Sequence, residues 1–292
     1  MAELFGLDVY APKEVAARVN DVGVAKARLP LLTLALLGVL AGAFIGLGAL
    51  MFALVASDAS LGFAVSRFLG GLVFSLGLVL VTVAGAELFT GNNLLAMAWA
   101  SGRIGTAEVL RNWAVVCAAN FVGAVGLAAL VWLAGRGALN GGAVGAAVVR
   151  IATAKAQLPW VEAFFSGALC NVLVCMAVWM ALAGRSVVDK VVAIVFPITA
   201  FVAAGFEHSI ANMFYFPLAM LLGAPLGAAD MLRNLVPVIA GNVLGGSVLV
   251  ALVYWFVYLR PAARATSLCA PGEVSGRSPG SSDGPGRVLA KR

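Results

Sequence analysis

Apolar residues fill six long runs of the chain, at 31–56, 68–100, 112–134, 160–183, 191–222 and 234–258, and charged residues gather between them. Each run reaches the roughly 20 residues that a helix needs to cross a hydrocarbon core. None alternates strictly between apolar and polar as a barrel strand does, so the runs predict spanning helices. Two are too long for one plain crossing. The runs 68–100 and 191–222, at 33 and 32 residues, would measure about 50 Å as continuous helices against a core of about 30 Å. Tilt alone would have to be extreme. Each carries a polar interruption, so each is predicted to break inside the membrane, where protein or a water-filled cavity must satisfy the freed backbone.

The interruptions repeat. Gly85-x-Glu87 with Asn92 five residues on returns as Gly205-x-Glu207 with Asn212 five residues on. A second phrase follows, Asn112, Asn120 and Gly123, which returns as Asn234, Asn242 and Gly245. The broken spans are the second and the fifth, the middle helix of each three-helix half. An odd number of spans per half inserts the second copy upside down. The expected fold is therefore all-α and integral to the membrane, with six transmembrane helices in two inverted three-helix repeats. Two broken helices would meet near the midplane, and their internal N-termini would favour an anion.

Composition agrees with a lipid environment: 62% of residues are hydrophobic and 11% charged, against about 45–50% and 25% in soluble domains. Fourteen Lys and Arg residues fall on one side of the six spans and five on the other, which places both termini in the cytoplasm. The net charge of +6 follows from that topology, and nucleic acid is not needed to explain it. Residues 1–30 read as a cytoplasmic segment. Val15, Val19, Val22 and Lys26 fall three or four apart, the spacing of an amphipathic helix suited to the membrane surface or to a lid beneath a pore. Residues 31–259 form the transmembrane domain. Residues 260–292, rich in Gly, Ser, Pro and Arg, read as a disordered cytoplasmic tail. The external connection 135–159 predicts a short surface helix over 144–154. Cys117, Cys170 and Cys175 read as packing residues, and no disulfide, metal or cofactor spacing is present.

His208 is the single histidine and sits in the second break. Ionisable side chains inside a membrane are costly and mark function, and an unperturbed histidine titrates near pH 6.5. Glu87 and Glu207 are either a proton or cation relay or acceptors for N–H groups freed by the breaks, and the symmetry favours the second reading. Asn92 and Asn212 either line a passage or stitch loop to helix. The remaining four repeated asparagines bind helices together, with close packing at Gly123 and Gly245. The Thr90 hydroxyl is a candidate partner for His208. Asn171 is a donor to substrate or a packing bond. Phe74, Leu78, Leu88, Val174 and Phe201 read on their own as core.

The strings Gly-Ala-Glu-Leu-Phe-Thr-Gly at 85–91, Asn-Val-Leu-Val-Cys-Met-Ala-Val-Trp-Met at 171–180, Gly-Arg-Ser-Val-Val-Asp-Lys at 184–190, Gly-Phe-Glu-His-Ser-Ile-Ala-Asn-Met at 205–213 and Asn-Leu-Val-Pro-Val at 234–238 resemble the formate/nitrite transporter family over residues 10–260. The 184–190 loop is closer to the formate members. The resemblance implies an aquaporin-like homopentamer in a bacterial-type cytoplasmic membrane, with one pore per subunit for formate, nitrite or another small monovalent anion, and with protons as a second cargo. It implies that Thr90 and His208 face each other at the centre, that Phe74, Leu78, Leu88, Val174 and Phe201 form apolar constrictions, that Asn171 contacts substrate, and that Lys155 attracts anions outside. A neutral-solute pore would instead show Asn-Pro-Ala at both breaks, and neither has it. An intramembrane enzyme would need a nucleophile facing His208, yet Ser209, adjacent in sequence, points elsewhere on a helix, so no catalytic residue is expected.

Overall fold

The computed structural model describes residues 9–260, and within them every regular element is a helix. Helix α1 (Pro12–Ala27) leads into α2 (Leu31–Ala56). The second span, Phe63–Gly85, comprises α3 (Phe63–Phe74), α4 (Leu76–Leu80) and a wide turn, Val81–Gly85. After a gap a tight turn at Gly91–Leu94 opens α5 (Leu95–Ala100). Then come α6 (Thr106–Leu133), α7 (Ala143–Ala156), α8 (Trp160–Ala183), α9 (Val187–Ala204), α10 (Ser209–Leu221) and α11 (Ala228–Val243), whose span continues to Leu259. Six of these spans are long and apolar enough to cross a membrane. Leu32, Leu36 and Leu40 of α2 are exposed while Leu34, Ala41, Ile45 and Ala49 are buried. An exposed leucine stripe on a helix packed on its other side suits lipid tails.

The spans at 31–56 and 160–183 keep the bounds that their apolar runs set. The third and sixth begin six residues early. Their opening turns are polar but are held by Glu108, which accepts from Gly105 N–H at 2.8 Å, and by Asp230, which accepts from Gly227 N–H at 2.9 Å. Helices α1 and α7 are each exposed on one face, at Arg18 and Asp21 and at Arg150 and Ala154, and packed on the other. Val15, Ala16 and Val19 are buried against Met97, Cys175 and Trp179, and Val144, Ala147, Val148 and Ala152 are buried too. The tail read as disordered lies outside the described residues apart from Arg260.

Close backbone contact holds the halves together internally. A Cβ on Gly42 would lie 2.0 Å from Asn120 O, and one on Gly123 1.9 Å from Val39 O, which seats α2 on α6. Gly241 and Gly245 seat α8 on α11 in the same way, at 2.0 Å from Phe164 O and 2.1 Å from Ala168 O. Without a hydrophobic drive between helices in lipid, such packing carries association. Gly123→Val is therefore expected to lower stability by about 2 kcal/mol or more. Gly126→Ala, with nothing within 4 Å of its Cβ, should leave the thermal midpoint of the detergent-purified protein unchanged. Equal midpoints for the two variants would contradict this packing.

Candidate functional site

Both long spans break at a glycine in the left-handed region, Gly85 at φ +82° and Gly205 at φ +79°. Only glycine holds that conformation at little cost, and it ends the helix. Asparagines from neighbouring helices then hold the freed backbone. Asn120 donates to Gly38 O and Glu87 O and accepts from Phe89 N–H, at 2.7, 2.9 and 2.9 Å. Asn242 repeats the set on Gly167 O, Glu207 O and Ser209 N–H, at 2.8, 3.1 and 3.1 Å. The N–H groups of Glu87, Phe89, Glu207, Ser209 and Ala211 all have partners within the protein. The internal helix N-termini thus bring their dipoles to the centre, but several of their donors are already in use.

The two carboxylates do not take hydrogen bonds from those N–H groups, as the sequence had suggested. Glu87 is bound by Lys26 Nζ at 2.9 Å and Asn92 Nδ2 at 2.7 Å, and Glu207 by Lys155 Nζ at 2.7 Å and Asn212 Nδ2 at 2.7 Å. Asn92 donates onward to Asn112 Oδ1, and Asn212 to Asn234 Oδ1. Asn112 and Asn234 close each loop on the carbonyls of Lys26 and Lys155. Each half therefore carries the same clasp of lysine, glutamate and two asparagines. The charges need such partners because a carboxylate 7% or 3% exposed has little water to stabilise it.

The sequence marks Lys26 only as one position of an amphipathic helix, yet a signal for its role in the clasp is present. Ala25-Lys-Ala-Arg-Leu-Pro30, at the end of α1, returns as Ala154-Lys-Ala-Gln-Leu-Pro159, at the end of α7. The repeated unit is thus a short helix plus three spans. The clasps differ in two bonds, since Asn234 Nδ2 also reaches Glu207 Oε2 at 3.4 Å. Lys26 also reaches Asn92 Oδ1 at 3.0 Å, whereas Asn212 Oδ1 is buried without a partner.

A cavity opens beside each clasp. One, of about 400 Å³, is lined by Lys26, Glu87, Asn92, Leu37, Leu78 and Leu88. The other, of about 280 Å³, is lined by Lys155, Glu207, His208, Arg67, Phe52, Phe74 and Phe201. Leu37 and Phe52 both belong to α2 and stand about 22 Å apart along it, so the cavities lie towards opposite ends of that helix. Lys26 precedes α2 and Lys155 precedes α8, so the two helices start from opposite faces and the halves run antiparallel.

Between the cavities the second parts of the broken spans meet. Thr90 and His208 each occupy the residue before a new helical turn, and Thr90 Oγ1 lies 3.0 Å from His208 Nε2. His208 Nδ1 accepts from Ala211 N–H at 3.2 Å. With its Nδ1 lone pair occupied, the neutral ring carries its proton on Nε2 and donates it to Thr90 Oγ1. The Phe201 ring stacks beside the imidazole at 5.8 Å, and Phe74 meets Phe201 edge-on at 5.6 Å. Thr90, Val174 and Asn171 are buried and line neither of these cavities. Asn171 Nδ2 has Thr90 O, Asn93 Oδ1 and Asn242 O as acceptors, while its Oδ1 is buried without a protein partner. Its offset from Gly42 equals that of Lys155 from Lys26, so its amide reaches the Asn242 carbonyl where the other half lets Gly42 touch that of Asn120.

The family profile described as "Formate/nitrite transporter" matches residues 13–256. The chain belongs to the formate/nitrite transporter family. Among its relatives in that family, the formate channel FocA of Escherichia coli K12 is 38% identical over 274 residues, covering 87% of this chain and 96% of FocA. A solved structure described as a pentameric formate channel with formate bound superimposes with a TM-score of 0.73 at 37% identity, covering 79% of this chain and 98% of that one. A second, described as an FNT family ion channel, gives 0.77 at 33% identity over 84% and 98%. For this formate/nitrite transporter family member, the clasps, the central pair and all the spans but the last three residues of the sixth fall inside the matched region.

Proposed function

We propose that the protein is a homopentameric channel for formate and related small monovalent anions in a bacterial-type cytoplasmic membrane, with a proton link through His208. The observation that carries this reading is the Thr90–His208 pair set between two lysine-bearing cavities. The 38% identity to a formate channel and the likeness to a formate-bound pentamer support it. Both termini lie in the cytoplasm on this reading, and Lys26 faces that side, in keeping with the bias of Lys and Arg. Glu87, Glu207, Asn92 and Asn212 act as supports of the breaks.

The physics of passage is a problem of dehydration. Phe74, Phe201, Leu78 and Leu88 offer an anion nothing in exchange for its water. Lys155 and Lys26 offer an anion N–H donors in either cavity, and between them the Thr90 hydroxyl, its oxygen held by His208 Nε2–H, turns its proton towards the passing anion. A hydrogen bond polarised by a second one behind it is the stronger donor. Proton transfer needs one more event. The imidazole must gain a proton at Nδ1, releasing Ala211 N–H at a cost of about 1 kcal/mol. The imidazolium can then pass its Nε2 proton through Thr90 to the anion, and a neutral acid crosses the apolar walls. Asn171 fixes Thr90 by its carbonyl, and Val174 packs at the same level.

Flux of formate, nitrite and lactate into liposomes carrying the purified protein, measured from pH 5 to 8, tests the reading. Saturable formate flux that rises as pH falls is expected. Liposomes no more permeable than protein-free ones would end it, and nitrite outcompeting formate would reassign the cargo.

A further inference from the structure

We propose that Arg67 is the anion-recruiting residue of the Lys155-side cavity, and that this cavity, unlike its counterpart, carries an uncompensated positive charge. The inference rests on the channel reading above. It starts from the count of charged groups facing each cavity. On the Lys26 side they are one lysine and one glutamate, joined at 2.9 Å. On the Lys155 side they are Lys155 and Glu207, joined at 2.7 Å, and Arg67. Among the described residues no carboxylate pairs with Arg67. The repeat gives the Lys26 side no equivalent cation. Lysine and glutamate cancel in both clasps, so what distinguishes the two cavity linings in charge is this guanidinium.

Its placement suits recruitment. Arg67 Nε donates to Ala203 O at 3.0 Å, in the last turn of α9, and the guanidinium carbon stands 5.8 Å from the Phe52 ring centre. These contacts fix the fork on a half-buried side chain at the cavity wall. Nη2 packs over Gly205, where a Cβ would lie 2.5 Å away. The glycine that breaks the helix therefore also makes room for the charge. One N–H is used on Ala203, and the planar fork keeps donors with the geometry a carboxylate accepts. A charge flanked by apolar walls raises the local anion concentration more than one in open water does.

The competing account is that Arg67 merely caps the C-terminus of α9, a favourable place for a cation. Sidedness and salt separate the two. Formate uptake is measured in sealed vesicles of the two opposite orientations, at about 20 and 300 mM salt, for the wild type, Arg67→Lys and Arg67→Gln. Recruitment predicts that Arg67→Gln raises the half-saturating formate concentration about fivefold from the Arg67 side at low salt, with the difference shrinking to under about twofold at high salt. From the other side all three proteins should agree, and Arg67→Lys should stay within about twofold of wild type. If Arg67→Gln saturates like wild type from the Arg67 side, or if both variants lose flux equally from both sides and at both salts with a lowered thermal midpoint, the proposal is overturned. A wild type without formate flux would instead overturn the channel reading itself.

Discussion

Replacing Glu207 with alanine is expected to destabilise the protein by about 3–5 kcal/mol, the cost of leaving a buried ionic partner alone. The Lys155 side chain is only 15% exposed, so water replaces the lost carboxylate only in part. Asn212 and Asn234 lose the same acceptor. The fall should appear as a drop of roughly 10 °C in the thermal midpoint of the detergent-purified protein. Lys155→Met added to Glu207→Ala should recover most of it, because the orphaned charge is gone. Glu87→Ala should cost less, since Lys26 is 28% exposed and can turn to water. A Glu207→Ala protein as stable as wild type would show that the clasp is not what holds the second break.

His208 supplies the other large effect, and two substitutions divide its roles. His208→Phe removes the donor behind Thr90 and the titrating group together. With a charge-assisted hydrogen bond worth about 1.5–3 kcal/mol, formate flux should fall about 10- to 100-fold. His208→Asn keeps an N–H to offer Thr90 and titrates nowhere in the physiological range. Its flux should stay within about tenfold of wild type while formate-driven proton uptake disappears. Flux and internal pH, followed in the same liposomes, report both. Proton uptake undiminished in the asparagine variant would remove the relay and leave His208 as a donor only.

Much of this was legible in the sequence because polar groups in an apolar run stand out. The Gly85 and Gly205 breaks, the repeated asparagines and the isolated histidine could be read without a structure, since each opposes its surroundings. What escaped notice lay in two kinds of place. Polar opening turns, such as Thr106–Arg111, look like loop until Glu108 is seen capping its own helix. Partners distant in sequence are invisible to local pattern: the acceptor for Lys26 is Glu87, and the donor to the Glu87 carbonyl is Asn120. The freed N–H groups that the pattern offers to the carboxylates have other partners, asparagines at Phe89 and Ser209 and Leu37, Ser166 and His208 at the rest. Amphipathic spacing predicts α1 but not what its apolar face packs on, because a helix that packs on protein has the same period as one that floats on lipid.

The matching clasps at the two openings have a kinetic meaning. A conduit with the same lysine–glutamate clasp at either end gains no preference for direction from the clasps. Microscopic reversibility allows an extra cation at one end to hasten capture there only if it hinders escape there in equal proportion. On the channel reading proposed above, net movement reverses whenever the driving gradient does, so one copy of the protein serves both release and uptake of its anion.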